Sequence, residues 1–154
     1  MPCSINFIKN NKRICLELNP DEIKKVLCFK TQIETEDAIN TISVAEKQII
    51  VCTYLPKSAV GKPFWLDEPI ENNNINAYDF NGNFLWNISD IVGKTHWYFY
   101  GGCIHSKTTL CQEYSIDVSL DINENHEFFT CSTEGRTYVI DLNEKKVIYQ
   151  LNSK

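Results

Sequence analysis

Residues 75–88 carry the strongest local structural signal in the sequence. Two apolar-rich runs, each short enough to be a strand, flank Asn81-Gly82-Asn83. Asn-Gly supplies the positive φ that a tight hairpin turn requires, so this stretch predicts two antiparallel strands. The chain is expected to fold back on itself at this turn.

The same pattern returns in residues 137–151, where Asp141 falls at the position that Asp79 has in the first copy. An apolar run precedes each hairpin, at 48–55 before the first and at 127–133 before the second. Each copy therefore predicts a unit of three antiparallel strands.

The run 75–88 resembles the end of a blade in quinoprotein-type and WD-repeat β-propellers. In those families an apolar strand ends in an Asp, a short Asn/Gly turn follows, and the next strand carries a pair such as Leu85-Trp86. The resemblance implies antiparallel sheets of blade-like hairpins, either closed into a ring or left open. No cofactor or substrate site is carried over from these families.

The rest of the chain fits one mainly β domain over residues 1–154, a length that can bury a single core. Residues 4–8 and 13–18 predict a further hairpin. Beyond it, a cap, a proline and acids precede apolar residues at helical spacing, which predicts one short helix near the N-terminus, from Pro20 to about Phe29. Residues 26–29 could instead continue as a strand.

Two segments of the C-terminal half are also interpreted as β structure. Residues 103–111 are expected to form another hairpin. Residues 114–121 alternate apolar and polar side chains, which is typical of a half-exposed strand.

The seven cysteines are odd in number and contain no Cys-x-x-Cys pair. Together with an N-terminus that lacks a secretory signal, they indicate reduced thiols and a cytoplasmic protein. No apolar run approaches the roughly 20 residues of a membrane helix, so no membrane association is expected.

The net charge is −5 and the sequence pI is about 5.2. A nucleic-acid-binding protein would carry a basic face to neutralise phosphates, so nucleic acid is not expected as a partner. A basic protein is expected, because opposite charges steer association.

No residue pattern identifies an active site. A metal site could involve Cys103, His105 and Cys111, with His96 or His126 as a further ligand. The spacing fits none of the usual zinc pairs, and a buried Cys with a surface His is the simpler interpretation. Asp79 and Asp141 are interpreted as turn caps rather than as catalytic carboxylates. The sequence therefore predicts neither an enzyme nor a cofactor or metal.

Two acidic regions are the predicted contact surface. Trp65 lies in a proline-bounded loop, residues 56–74, and is followed by nearby acids, an arrangement typical of an aromatic anchor for a basic partner. A second acidic segment covers residues 117–127. The predicted interface residues are Trp65, Asp67, Glu68, Glu71, Asp117, Asp121, Glu124 and Glu127. The aromatic residues Trp97, Tyr98 and Tyr100 are interpreted mainly as core.

In size, acidity, free cysteines and absence of a recognisable active site, the chain resembles the stand-alone immunity proteins that bacteria pair with secreted toxin domains. The resemblance implies a toxin as partner, a basic nuclease among the candidates, neutralised by covering its active site or substrate surface. One alternative is a propeller-like scaffold domain in a larger or self-associated assembly. The other is a metal protein or enzyme centred on Cys103, His105 and Cys111.

Overall fold

The structure is a computed structural model that describes residues 3–9, 12–18, 25–28, 31–34, 37, 39–56, 59, 61–62, 67–79, 81–114 and 123–152. In these residues the chain forms twelve strands and two helices. The elements before residue 60 are β1 (Cys3–Lys9), β2 (Lys12–Leu18), β3 (Lys25–Cys28), β4 (Thr31–Glu34), β5 (Ile39–Val44) and β6 (Ile49–Thr53). Those that follow are β7 (Ile75–Tyr78), β8 (Phe84–Asn87), α1 (Ile88–Val92), β9 (Gly102–His105), α2 (Lys107–Tyr114), β10 (Phe128–Thr133), β11 (Arg136–Asp141) and β12 (Lys146–Asn152).

Two four-stranded antiparallel sheets dominate the fold. One has the strand order β5-β6-β7-β8 and the other β9-β10-β11-β12, so each strand pairs with its neighbours in sequence. The predicted mainly β, antiparallel class and both predicted three-stranded units are confirmed, and β5 and β9 extend each unit by one strand. The hairpin of β1 and β2 is confirmed as well. In the described part of the chain the sheets form no closed barrel or ring.

The turns of the two repeated hairpins have the predicted chemistry. Gly82 takes a φ of 87°, the left-handed conformation that favours glycine. One oxygen of the Asp79 carboxylate accepts hydrogen bonds from the backbone N–H groups of Asn81 and Asn83, both at 2.9 Å. Asp141 does the same in its own turn. The interpretation of both aspartates as turn caps is confirmed.

The core lies between the two sheets, which pack face to face. Alternate residues of β6, Ile50 and Cys52, enter one buried cluster with Phe129 and Cys131 of β10. Because successive side chains of a strand point to opposite faces, Phe128, Thr130 and Ser132 of β10 face away from this cluster. On that second face, Phe128 packs with Leu110 of α2, so the second sheet is covered on both sides.

Over the residues that the structure describes, the predicted N-terminal helix is not found, and the alternative strand at 26–29 is confirmed at residues 26–28. Lys25–Cys28 is strand β3, paired antiparallel with Thr31–Glu34, and the remaining residues of the prediction, 20–24 and 29, lie outside the described residues. Residues 25–28 have a matching strand only two residues further on, and the ladder of this hairpin outweighs the helix-start pattern before it. Both helices of the described chain lie in its C-terminal half.

The hairpin predicted at 103–111 is also wrong, because only its first part is a strand and helix α2 begins at Lys107. Ser106 explains the change: its hydroxyl accepts from the N–H of Thr109 at 3.3 Å, and its own N–H donates to the Thr109 hydroxyl at 3.0 Å. Such reciprocal capping starts a helix. The strand predicted at 114–121 begins at the last residue of α2, and the rest of it lies outside the described residues.

Neither helix has the length or the apolar character needed to cross a membrane, a statement that covers the described residues only.

Candidate interaction surface

Three large apolar side chains are exposed on the segments that follow β6 and precede β9, and they are called here the Tyr54 surface. They are Tyr54, with 49% of its area exposed, Leu55 with 41% and Tyr100 with 54%. Tyrosine combines a large apolar area with a hydroxyl group that suits a partly wet contact, which is why it is common at protein interfaces.

Asn74 joins the backbone segments that carry the two tyrosines, although these are far apart in sequence. Its side-chain nitrogen donates to the carbonyl of Thr53 at 3.1 Å and to the carbonyl of Phe99 at 2.7 Å, and its side-chain oxygen accepts from the N–H of Phe99 at 3.1 Å. The peptide units that lead into Tyr54 and Tyr100 therefore meet at one buried amide. Asn74 is 2% exposed, so water competes little for these bonds.

Further hydrogen bonds fix Tyr100 to both sheets. Its N–H donates to the carbonyl of Ser132 at 3.1 Å, and its carbonyl accepts from the side chain of Asn40 at 2.8 Å. The backbone under the Tyr54 surface is thus held by β5, β6 and β10 together. A surface on such a support changes little in backbone shape when a partner binds.

Three exposed acids lie between Leu55 and Tyr100 in the sequence: Asp67, Glu68 and Glu71. The segment that carries them is anchored, because Ile70 and Thr95 exchange two backbone hydrogen bonds of 2.8 and 3.1 Å. No Lys or Arg occurs from residue 67 to residue 93, and Lys94 offsets one of the three negative charges. Residues 67–94 are therefore net acidic.

The other predicted interface residues have different positions. Trp65, Asp117 and Asp121 lie outside the described residues. Glu124 is exposed and lines a cavity of about 570 Å³ together with Lys107 of α2. The structure does not show Glu124 beside Asp67, Glu68 or Glu71.

Glu127 has an internal partner. Both of its carboxylate oxygens accept from the backbone N–H of Glu46, at 3.0 and 3.2 Å, and its own N–H donates to the side chain of Asn143. Glu46 belongs to the turn between β5 and β6, so the Glu127 carboxylate ties this turn to the start of β10. This bond joins the two sheets and gives the carboxylate a structural role.

The predicted aromatic cluster divides between core and surface. Trp97 is buried, as the core interpretation predicts, and so is Phe99 beside it, whereas Tyr100 points outward. The apolar run 48–55, which predicts a strand, also includes Leu55, but β6 ends at Thr53 and Leu55 is exposed. Two sequence features could have indicated that Leu55 and Tyr100 are exposed, namely Pro56 directly after Leu55 and Gly101 directly after Tyr100. Pro and Gly often mark the end of a strand or an extended segment, and the chain leaves the sheet at such a point.

The alternative site at Cys103, His105 and Cys111 is not assembled in the structure. Cys103 is exposed, while Cys111 is buried with Leu110 in the cluster under α2. The described residues contain one group of three or more potential metal ligands within 4.8 Å of one another, and these three residues are not in it.

His105 instead belongs to a buried polar network. Its Nε2 lies 3.1 Å from the Thr130 hydroxyl, and its Nδ1 lies 3.7 Å from the Glu113 carboxylate. Burial lowers the pKa of His105, and the Glu113 charge opposes this in part. In space, a carboxylate, an imidazole and a hydroxyl follow one another, as they do in some catalytic sites. Thr130, however, is only 3% exposed and lies within strand β10, where a substrate cannot reach its hydroxyl.

A scan against protein-family models and searches of curated proteins and of solved structures found no match to this chain.

Proposed function

We infer that this protein is a non-catalytic binding protein that neutralises a basic protein partner, in the manner of a bacterial immunity protein. The observation that carries the inference is the Tyr54 surface itself, three exposed apolar side chains, together with the anchored acidic segment that leads along the chain to Asn74. Solvent-exposed apolar groups that lie together, with charge at their side, are typical of a protein contact surface.

The tyrosines and the acids would contribute to binding in different ways. Tyr54 and Tyr100 are the anchors, since truncation of a central Tyr in an interface commonly costs about 2 kcal/mol or more. Asp67, Glu68 and Glu71 would raise the association rate with a basic partner and disfavour acidic ones. A stable complex buries about 800 Å² on each side, so loops around the three apolar side chains must contribute the remaining area.

Neutralisation follows from charge and coverage. A nuclease or another enzyme that acts on an anionic substrate needs a basic active-site surface. An acidic inhibitor seated on that surface excludes the substrate without any chemistry of its own. Catalytic groups are therefore not required in this protein, and the buried His105 network is interpreted as part of the fold.

The test is a paired capture experiment with tagged protein in extract of the native organism, washed at high salt. Tyr54→Ser combined with Tyr100→Ser removes the anchors, and because both side chains are about half exposed, the fold should be kept. Phe84→Ser is the matched control. Phe84 is 58% exposed but lies in the β7–β8 hairpin, where the centroid of its ring is 6.2 Å from that of Tyr78. The expected result is one basic protein in equal amount, retained by wild type and by Phe84→Ser and lost from the double variant.

The captured protein must then lose its own activity when mixed with wild type. Its association rate should fall when Asp67, Glu68 and Glu71 are replaced by Lys, and an unchanged rate would remove the acidic segment from the surface. Capture that is equal with the double variant would contradict the proposal. Recovery of this chain alone would favour the self-associating scaffold instead.

A further inference from the structure

A second cluster of functional groups, formed by His126, Asp141 and Glu144, lies far from the Tyr54 surface. Tyr100 is bonded near one end of β10, at Ser132, whereas Asp141 is paired with Phe128 at the other end. The potential ligand atoms of the three side chains all lie within 4.8 Å of one another. In the described chain no other group of three or more His, Cys, Asp or Glu residues meets this criterion.

Comparison of the two repeated hairpins shows which side chain of this cluster the turn does not require. In the first hairpin Asp79 caps the turn through one oxygen, and its other oxygen accepts from the side chain of Asn83 at 3.0 Å. In the second hairpin Oδ1 of Asp141 takes both turn N–H groups, while Oδ2 lies 2.8 Å from Nδ1 of His126. The same turn thus forms in the first copy without an imidazole, so His126 is not needed to cap it.

We propose that His126, Asp141 and Glu144 bind a divalent transition-metal ion, with Zn²⁺ as the best match. One imidazole and two carboxylates are a donor set that zinc accepts, and three protein ligands leave a fourth position for water. Asp141 is only 4% exposed, so its charge is poorly hydrated and favours a cation in contact with it. Its orientation is already fixed by the two N–H groups on Oδ1, as the support of a metal ligand requires.

The site needs only small adjustments to close around an ion. Ligand atoms about 2.0–2.1 Å from a tetrahedral ion are roughly 3.3 Å apart, so Nδ1 of His126 and Oδ2 of Asp141 must separate by about 0.5 Å. The ion takes the place of the hydrogen bond between these two atoms, and the neutral imidazole then carries its proton on Nε2. Glu144 must approach by up to about 1.5 Å. Its side chain is 47% exposed and is held by an ion pair with Lys146, itself 63% exposed, which is the weak kind of pair.

The experiment is calorimetric titration of ZnCl₂ into untagged, chelator-treated protein. It uses Cys103→Ser as the background, because an exposed thiol is itself a zinc ligand. His126→Gln and Glu144→Gln each remove one ligand, and Glu124→Gln removes an exposed carboxylate outside the cluster. Asp141 is left intact because it caps the turn.

One zinc per chain is expected in the background protein and in Glu124→Gln. In His126→Gln and Glu144→Gln the affinity should fall by at least about tenfold, since loss of a mere outer-shell partner already costs 10- to 100-fold. Titration with Co²⁺ should give ligand-field bands without a thiolate charge-transfer band. No heat of binding, an unchanged affinity in His126→Gln, or a thiolate band would each overturn the proposal and leave the cluster as a hydrogen-bonded pair. The proposal is independent of partner binding at the Tyr54 surface.

Discussion

Gly102 is the position where one added methyl group should disturb the protein most. It lies on β9 opposite Cys131, and a Cβ placed on it would meet the ring of Phe129, with Cζ only 2.0 Å away. Ordinary contact between carbon atoms is about 3.5 Å, so the ring would have to retreat by about 1.5 Å. Phe129 is 1% exposed in the core between the sheets, where close packing of the side chains leaves no room for that movement.

Gly102→Ala should therefore destabilise the fold by steric conflict. Overpacking of this kind costs about 3 kcal/mol at its upper range. Gly102 has no positive φ, so alanine fits its backbone conformation. Because alanine also lowers the conformational entropy of the unfolded chain, it offsets about 0.5–1 kcal/mol of the lost stability. The net loss is about 2 kcal/mol, which at this chain length corresponds to a fall in Tm of about 4–8 °C.

The assay is urea unfolding followed by tryptophan fluorescence, with Cys103→Ala as the control on the same strand. Cys103 is exposed, and its variant should remain within about 0.5 kcal/mol of wild type. Combining Gly102→Ala with Phe129→Leu should give a double variant at least about 1 kcal/mol more stable than the sum of the single effects predicts. A Gly102→Ala protein within 0.5 kcal/mol of wild type, or strictly additive effects, would refute the steric explanation.

Three further predictions concern charge and thiols. Hydrogen bonds from the turn, first the backbone N–H of Asn83 and then its side chain, lower the pKa of Asp79. The stabilisation of the fold that results is present above the unfolded pKa of about 4 and is lost as pH falls through the folded pKa. Thermal melts of wild type and Asp79→Asn should therefore show a stability difference that shrinks in acid. Burial raises the pKa of the Cys52 thiol to about 12, so mass spectrometry after native alkylation should find Cys103 modified and Cys52 untouched until the protein unfolds. Glu127→Gln should cost about 1 kcal/mol in urea unfolding, because a neutral amide accepts the backbone N–H of the β5–β6 turn less strongly; an equal stability would remove this link between the sheets.

Local patterns predicted those parts of the fold in which neighbouring residues decide the outcome. Gly82 and the two capping aspartates specify turns within a few residues, so both repeated hairpins were predictable. The wrong helix at Lys25–Cys28 shows the limit of this reasoning, because the strand there depends on a partner strand that a helix-start pattern does not reveal. At Ser106 the reverse occurred, since a cap of two hydroxyl residues starts a helix where a second strand of a hairpin was expected.

The candidate surface was predictable only in part, because exposure depends on contacts between distant segments. Asp67, Glu68 and Glu71 could be identified as an acidic group from sequence alone. Tyr54 and Tyr100 could not be identified as neighbours, since the buried amide of Asn74 brings them together. Phe99 and Tyr100 look equivalent in the sequence, yet one is in the core and the other is outside.

Face-to-face stacking of two sheets that follow one another in sequence also has a consequence during synthesis. The inner residues of the first sheet, such as Ile50 and Trp86, are covered by residues of β10 and β11, which the ribosome adds later. At about 5–20 residues per second, the interval between the first hairpin and its repeat is roughly 3–12 s. During those seconds the apolar face of the first sheet has no second sheet to cover it, and such transiently exposed apolar surface favours aggregation.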